Sequence, residues 1–558
     1  MKKLWLARID DTFNPQKDIL MGPWCLLGNE HYLNDYQKLN IIPDPFQTPE
    51  KLSYHEKITS DFALSFMPKL SDLLNDINKS SYSEKFWHTI AFNWLLHLVA
   101  STWEKQLRVN YILKKYNNDS IEISLIKNNI SIEFKDTKSF YYDGIMGKKY
   151  NEWIYSYLLK NSLPNSWQTE WKDGGRIKPV EINNMKIKHK LAFSFSRWIP
   201  FSRILGIGKF ESIIWTFLIR FKKIQKSVET HIQENKENLD SQIINLNWIE
   251  LINRTLPENY KNIGPNTFKL KTLNKRIYFI GSFPLFDEKL KLRIAKKVEK
   301  DTHIITTQHG GHYGTAKVFP IAPYLEYNQY AFFSWGWKNQ DDYNGNIIAL
   351  PSPFLSKKKH VPQGNKIIFV SMGSKPIPTR IYAHPQPMQQ IDIIHNRLNF
   401  LRTIKVEIRK NLLYKPYFYS DKFFEDPGLL LKEEFPNLKI LNGKLHEKLL
   451  KCKLLILDHP GTTLNIALAA NIPTICLWNP DSWKMCRQAE PYFKDLIKAG
   501  ILFSNPIKAA KRVNDIFNDA QGWWNQEEIQ IARKNWTWQF ARTSKNWRRE
   551  WIKAIRNL

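Results

Sequence analysis

The sequence predicts an α/β protein built on parallel sheets. Two observations carry that expectation. Over the last 290 residues, short β-branched or aromatic runs alternate with helical stretches, the signature of βαβ units. Two of those runs lead straight into loops rich in glycine and histidine, and doubly wound sheets hold their ligands outside the carboxyl ends of the strands. The 558 residues, 43% hydrophobic and 14% aromatic, supply material for more than one core and exclude global disorder.

In chain order, Lys2–Arg8 is an opening strand, followed by a turn-rich segment with Leu20-Met21-Gly22-Pro23-Trp24-Cys25. Residues 62–77 and 84–108 carry apolar positions at helical spacing, Phe86, Ile90, Trp94 and Leu98 among them, and are expected to be core helices. Two alternating runs, 120–127 and 130–134, flank Asn128-Asn129 and predict a β-hairpin. The segment 223–240 is polar and charged, a solvated helix or a linker. Strands are then expected at 276–281, 303–308, 330–335, 366–371, 454–457 and 473–477, with helices at 285–300 and 463–470. Pro351-Ser352-Pro353 followed by Lys357-Lys358-Lys359 reads as an interdomain linker. The tail after 506 is helical, with Trp536, Phe540, Trp547 and Trp551 near one face; docking onto the body is the expected use, and a stacking platform for single-stranded nucleic acid the rival.

The net charge of +29 calls for an anionic partner: nucleic acid, an anionic membrane surface or a phosphorylated small molecule. Part of the lysine content is the ordinary companion of a Lys-, Asn- and Ile-rich composition. The opening MKKLWLARIDD lacks the apolar core of a signal peptide, and Ala91–Ala100 is too short to span a bilayer, so a cytoplasmic protein is expected. The four cysteines form no CxxC pair and suit a reducing compartment.

Three loops carry candidate chemistry. In Gln308-His309-Gly310-Gly311-His312-Tyr313-Gly314 the glycines admit a ligand close to the backbone, and the histidines offer proton transfer near neutral pH. In Asp458-His459-Pro460-Gly461-Thr462-Thr463, Thr462 or Thr463 is a natural N-cap, and the helix start is an anion site for phosphate. Ser371-Met372-Gly373-Ser374-Lys375, with Arg380 nearby, is a small-residue loop suited to a diphosphate, though neither a Walker loop nor GxGxxG. No HExxH, paired CxxC or DxD arrangement is present, so neither a metal nor another cofactor is expected; no GxSxG follows a strand.

Taken together, Leu20–Cys25, Tyr82–Trp94, Gln308–Gly311, Ser334-Trp335-Gly336-Trp337, Asp458–Leu464, the run 499–514 and Trp523-Trp524 resemble the transferases encoded in bacterial O-antigen and surface-polysaccharide gene clusters, over nearly the whole chain. It departs from that pattern at Phe92-Asn93-Trp94, where Gly-Pro-Trp would be expected, and in a freer Asp458-His459-Pro460. More distantly, the two loops are similar to those of GT-B glycosyltransferases, including Kdo and sialic acid transferases, and to polyol-phosphate transferases of teichoic acid synthesis. That resemblance implies a GT-B-like fold, two Rossmann-like domains facing across a cleft, with a nucleotide-activated sugar donor held by the C-terminal half and a glycan or lipid-linked acceptor opposite. The implied division is 1–355, with insertions at about 60–270, on the acceptor side, 356–510 on the donor side, and 511–558 as the Trp-rich tail.

Glycosyl transfer needs a base for the acceptor hydroxyl and donors for the departing phosphate. His309 is the first candidate base or donor-charge ligand, with Asp458 and Glu326 as rivals. Gly310, Gly311, Ser371, Gly373, Ser374, Lys375, Arg380, His459, Pro460, Gly461, Thr462 and Thr463 are the candidate donor and phosphate ligands. Lysine clusters at 220–226 and 357–360 could hold the protein at an anionic membrane face. A CDP-polyol phosphotransferase is the alternative; a basic nucleic-acid binder is the less favoured one, since no zinc finger, RRM signature or basic zipper is present, and no nucleic-acid partner is expected.

Overall fold

A computed structural model of the chain describes residues 1–177, 240–265, 277–319, 321–340, 343, 345–373, 376–417 and 427–558. The lysine cluster at 220–226, most of the polar segment 223–240, and Ser374 and Lys375 lie outside the described residues.

Three parallel sheets organise the chain. The first contains β1 (Lys2–Trp5), β2 (Ile19–Leu20), β3 (Asn40–Ile41), β4 (Ile121–Ile126) and β6 (Trp167–Lys172) in the order β3-β2-β1-β4-β6. That is the order of a doubly wound dinucleotide-type sheet without its sixth strand. The predicted hairpin is not formed. Its first run is β4, paired in parallel with β1 and β6, while its second contributes β5 (Ser131–Ile132), paired in parallel with β7 (Arg176–Ile177). Alternation identified the strands, but Asn128-Asn129 closes no turn, because burial of Ile121, Ile123 and Leu125 in the sheet favours neighbours from distant parts of the chain.

The apolar stretch Ala91–Ala100 lies in a 33-residue helix, Glu84–Tyr116, whose middle is buried on every side. Helices Pro49–Asn78, Lys148–Leu159 and Glu288–Val298 pack around it. A helix hydrophobic all round belongs in the core of a large protein. Among the described residues, no helix is long and apolar enough to cross a membrane.

The second sheet runs β11 (Ile347–Ala349), β10 (Ala331–Ser334), β9 (His303–Thr307), β8 (Ile277–Gly281), in parallel throughout. The third contains β12 (Ile367–Val370), β13 (Leu412–Lys415), β14 (Lys439–Ile440), β15 (Leu454–Leu457), β16 (Thr474–Leu477) and β17 (Leu502–Phe503) in the order β14-β13-β12-β15-β16-β17. This is the six-stranded dinucleotide-fold order, with its switch point between β12 and β15. The expected strands of this half are all present within a residue or two.

The tail after 506 opens with the helices Pro506–Ile516 and Ala520–Trp524 and ends in two more, Glu527–Phe540 and Trp547–Asn557, which a break separates. The first packs on the third sheet's helices, with Trp536 Nε1 donating to Asn465 Oδ1 at 3.0 Å. The second crosses to the second sheet, where Trp551 meets Phe279 and Phe333 and donates to the Pro351 carbonyl at 2.8 Å. Trp523, Trp524, Trp536, Trp547 and Trp551 are buried, as docking requires; Trp538 is 67% exposed. The Pro351–Pro353 segment is tied down by Ser352 N donating to the Arg542 carbonyl.

Candidate functional site

A cleft of about 1430 Å³ runs over the carboxyl ends of β14, β13, β12 and β15 and is faced by the loop after β9. Each wall follows from local sequence. After β9, Gln308 is buried and held at both ends: its Oε1 accepts from Trp335 N and Trp337 Nε1, both at 2.8 Å, and its Nε2 donates to the Gly310 carbonyl. The Ser334–Trp337 motif is therefore the support of the His-Gly-Gly loop. Within that loop His312 adopts φ 71°, an uncommon backbone for a residue with a Cβ.

The loop touches its counterpart from the third sheet directly. Gly311 N donates to Thr462 Oγ1 at 2.9 Å, and a Cβ on Gly311 would sit 2.5 Å from the Gly461 carbonyl carbon. Glycine is required at 311 by that approach. The helix Thr462–Ala469 is capped by Gly461 with no side-chain cap, contrary to the expected threonine N-cap. Thr462 instead serves the loop across the cleft. First-turn amides left without a side-chain partner are what an anion at a helix start uses.

Asp458 stands at the switch point. Its Oδ1 accepts from Met372 N and His459 Nδ1, both at 2.9 Å, and its Oδ2 pairs with Arg397 at 2.6 Å. Burial opposes its ionisation, but the Arg397 charge and the His459 and Arg397 hydrogen bonds outweigh burial and hold its carboxyl below the usual range. Asp458 thus clamps the ends of β12 and β15 and orients His459, whose Nδ1 is engaged while its ring lines the cleft. Asp458 and Pro460 are buried behind the cleft wall.

His309 is solvent-exposed within the cleft, yet protein surrounds the ring closely enough that desolvation brings its pKa down to about 4. It is neutral near pH 7. Its Nδ1 lies 3.0 Å from Tyr313 Oη, its Nε2 at 3.5 Å, and Tyr313 donates to Glu326 Oε2 at 2.7 Å. Glu326 is buried away from the cleft, where its Oε1 accepts from Phe283 N, and burial pushes its carboxyl up to about 7.

The sequence-derived candidates thus divide. His309, Gly310, Gly311, Ser371 and Gly373 line the cleft, and so do Arg380, His459, Gly461, Thr462 and Thr463. Asp458, Pro460 and Glu326 stand behind it. A Cβ on Gly373 would fall 2.3 Å from the Tyr417 ring and push that side chain aside. The sequence reading missed Trp483, stacked on His312 at 5.5 Å, and His384 and Tyr382 beside it, with Arg380 4.3 Å over Tyr382. It also missed Arg397, although a lone arginine among Ile393, Ile394, Leu398 and Leu401 on a buried helix face is a readable sign of a buried ionic partner. Among the described residues no group of three or more His, Cys, Asp and Glu is placed to hold a metal ion.

A parallel sheet with its cleft at the switch point, and a glycine- and histidine-bearing loop facing a helix start across it, define an α/β protein of the doubly wound class. Residues 2–555 match the LIC12162 family transferase, and the chain belongs to that family of transferases. No curated protein matches it. Among solved structures it is similar to accessory secretory protein 1, 2 and 3 of Streptococcus pneumoniae, with 12% identity over 50% of this chain and a TM-score of 0.30. That match spans 54% of the other chain. It is also similar to MurG of Acinetobacter baumannii, with 10% identity over 78% of this chain and 99% of that one, and a TM-score of 0.28.

Proposed function

We propose that this transferase is a glycosyltransferase, moving a sugar from a nucleotide-activated donor to a glycan or lipid-linked acceptor in bacterial surface-polysaccharide synthesis, without a metal. The observation that supports it is the direct contact of the two loops, Gly311 N on Thr462 Oγ1, which sets a neutral histidine beside an uncapped helix start. The helix start, Arg380 and His459 receive the donor phosphate, with Ser374 and Lys375 as further candidates. His309 Nε2 takes the proton of the acceptor hydroxyl as its oxygen attacks the sugar carbon and the bond to the donor phosphate breaks. In this reading residues 356–510 form the donor half, 1–355 the acceptor half, and 511–558 the tail. The protein works in the cytoplasm, at the membrane face; in the 357–360 cluster, Lys357 and Lys358 already lie over the Trp547 and Phe354 rings, which leaves 220–226 as the stronger membrane candidate.

A thermal-shift series with CMP, CDP, UDP, GDP and dTDP tests the reading. One nucleotide at a hundredfold its Kd is expected to stabilise the fold by about 2.7 kcal/mol, and Arg380→Ala to remove that shift. A shift with CDP-polyols alone would move the reading to phosphotransfer. No nucleotide shift, beside tight salt-dependent binding of single-stranded DNA, would overturn it.

A further inference from the structure

Across the cleft from the His-Gly-Gly loop, His459 leans on a buried ion pair, and that pair decides what the ring can offer a phosphate. Asp458 is 2% exposed and Arg397 0%. Arg397 Nε and Nη2 both lie 2.6 Å from Asp458 Oδ2, and Nη2 also donates to the Met372 carbonyl at 2.9 Å. Burial opposes the carboxyl's charge, but the arginine outweighs it and keeps the group ionised. An ionised carboxylate has no proton to give. The 2.9 Å contact between its Oδ1 and His459 Nδ1 is therefore a hydrogen bond donated by Nδ1–H. The opposite edge of the ring rests on the helix start: a Cβ on Gly461 would lie 2.7 Å from His459 Cδ2 and 3.0 Å from Nε2. Among the described residues Nε2 has no hydrogen-bond partner.

We propose that Asp458, backed by Arg397, is a positioning residue that commits His459 to Nδ1–H and turns Nε2 to the helix start, so that the ring meets a phosphate there as an imidazolium and the donor binds with uptake of one proton. The proposal rests on the reading of that helix start as the phosphate site. In the neutral ring Nε2 carries a lone pair, which repels a phosphate oxygen; a proton on Nε2 turns the repulsion into a charge-assisted hydrogen bond. In the transfer, the bond between the sugar carbon and the phosphate oxygen breaks, its electron pair stays on that oxygen, and Nε2–H hydrogen-bonds the phosphate. The acceptor proton goes to His309, and Nδ1 of His459 keeps its own. Of the groups facing His459 from other elements, His312 is neutral, brought down to about 3 by burial and by the His459 and Arg380 charges, and His309 is neutral as well. His384 packs on Trp483, whose ring is 6.4 Å from that of His459. Arg380 adds a second positive charge for the same anion.

Full-length protein labelled with ¹⁵N-histidine reports both ring nitrogens by long-range proton–nitrogen NMR, His459 being assigned by its loss in His459→Gln. At alkaline pH, where the ring is neutral, wild type is expected to show Nδ1–H alone. Sulfate, which binds no proton in this range and stands in for the donor phosphate, is expected to move the Nε2 signal to its protonated position at constant pH. Asp458→Asn is expected to give both tautomers, because an amide can offer Nδ1 either an oxygen or an NH₂; if that variant fails to fold, the wild-type tautomer and the sulfate response carry the test. The Kd of a nucleotide that stabilises the protein should rise by up to about tenfold per pH unit as the ring loses its proton, and stay level in His459→Gln. An Nε2–H tautomer in wild type, a single unchanged tautomer in Asp458→Asn, or an Nε2 that stays unprotonated with sulfate would overturn the proposal. A nucleotide that binds while Nε2 stays unprotonated would overturn the proton uptake alone. The absence of any nucleotide shift would instead overturn the phosphate site on which it rests, so the two failures are distinguishable.

Discussion

In the proposed reaction His309 serves as base only while its ring is neutral, and desolvation extends that condition down to a pKa of about 4. Turnover is therefore expected to stay level as pH falls through 6.5 and to drop only toward pH 4, a limb that a pH–rate profile of kcat shows directly. His309→Ala should cost about 10²- to 10⁴-fold in kcat with the melting temperature preserved. Glu326 has the opposite linkage. Its folded pKa of about 7 lies above the unfolded carboxyl value, so its contribution is fully present below about 4.5 and is lost as pH rises to 7. Glu326→Gln should accordingly gain on wild type by roughly 1–3 kcal/mol between pH 4.5 and 8 in denaturant midpoints.

Among the elements, the two loops and the helix Thr462–Ala469 work as one unit because Gly311 lies against the helix start. Gly311→Ala places a methyl 2.5 Å from the Gly461 carbonyl carbon, which cannot give way as a flexible side chain could. The expected result is a destabilisation of about 1–3 kcal/mol, the usual cost of overpacking, together with loss of nucleotide binding measured by thermal shift. The alternative, unchanged binding, would separate the two loops functionally. Legibility follows the same line. The strand and glycine-rich loop of each wall could be read from local pattern, but the partner of Thr462 could not: a threonine at a helix start implies a cap, and only the approach of Gly311 diverts its hydroxyl.

For the molecule as a whole, long-range ties hold the sheets together. Arg108 is buried between Glu104 and Asp44, donates to the carbonyls of Met21 and Ile42, and stacks on Trp24 at 4.8 Å. Asp44 in turn accepts from Met388 N at the start of the helix that carries Arg397. The Leu20–Cys25 motif thus belongs to the scaffold rather than to the cleft. Arg108→Met should cost about 3–5 kcal/mol, because two carboxylates would be left buried without their partner. At the other end, Trp551→Ala should cost about 3–5 kcal/mol by removing an indole from the face of the second sheet. Denaturant unfolding measures both, and a loss under 1 kcal/mol at either site would show that the tie is dispensable.

The sequence by itself determined the parallel α/β class, the strands of the C-terminal half, the burial of most tail tryptophans and the loops that meet at the cleft. These are properties of period, composition and turn chemistry, which act over a few residues. Tertiary structure decided the rest. It made a five-stranded sheet from strands as short as Ile19–Leu20 and Asn40–Ile41, too short to show a period, and turned a predicted hairpin into three parallel pairings. It buried Glu326 and Asp458, rivals to His309 by residue type, and set them behind the histidines of the cleft. A carboxylate's use depends on its partners and its burial, and both are fixed only when segments more than a hundred residues apart come into contact, as Gly311 does with Thr462.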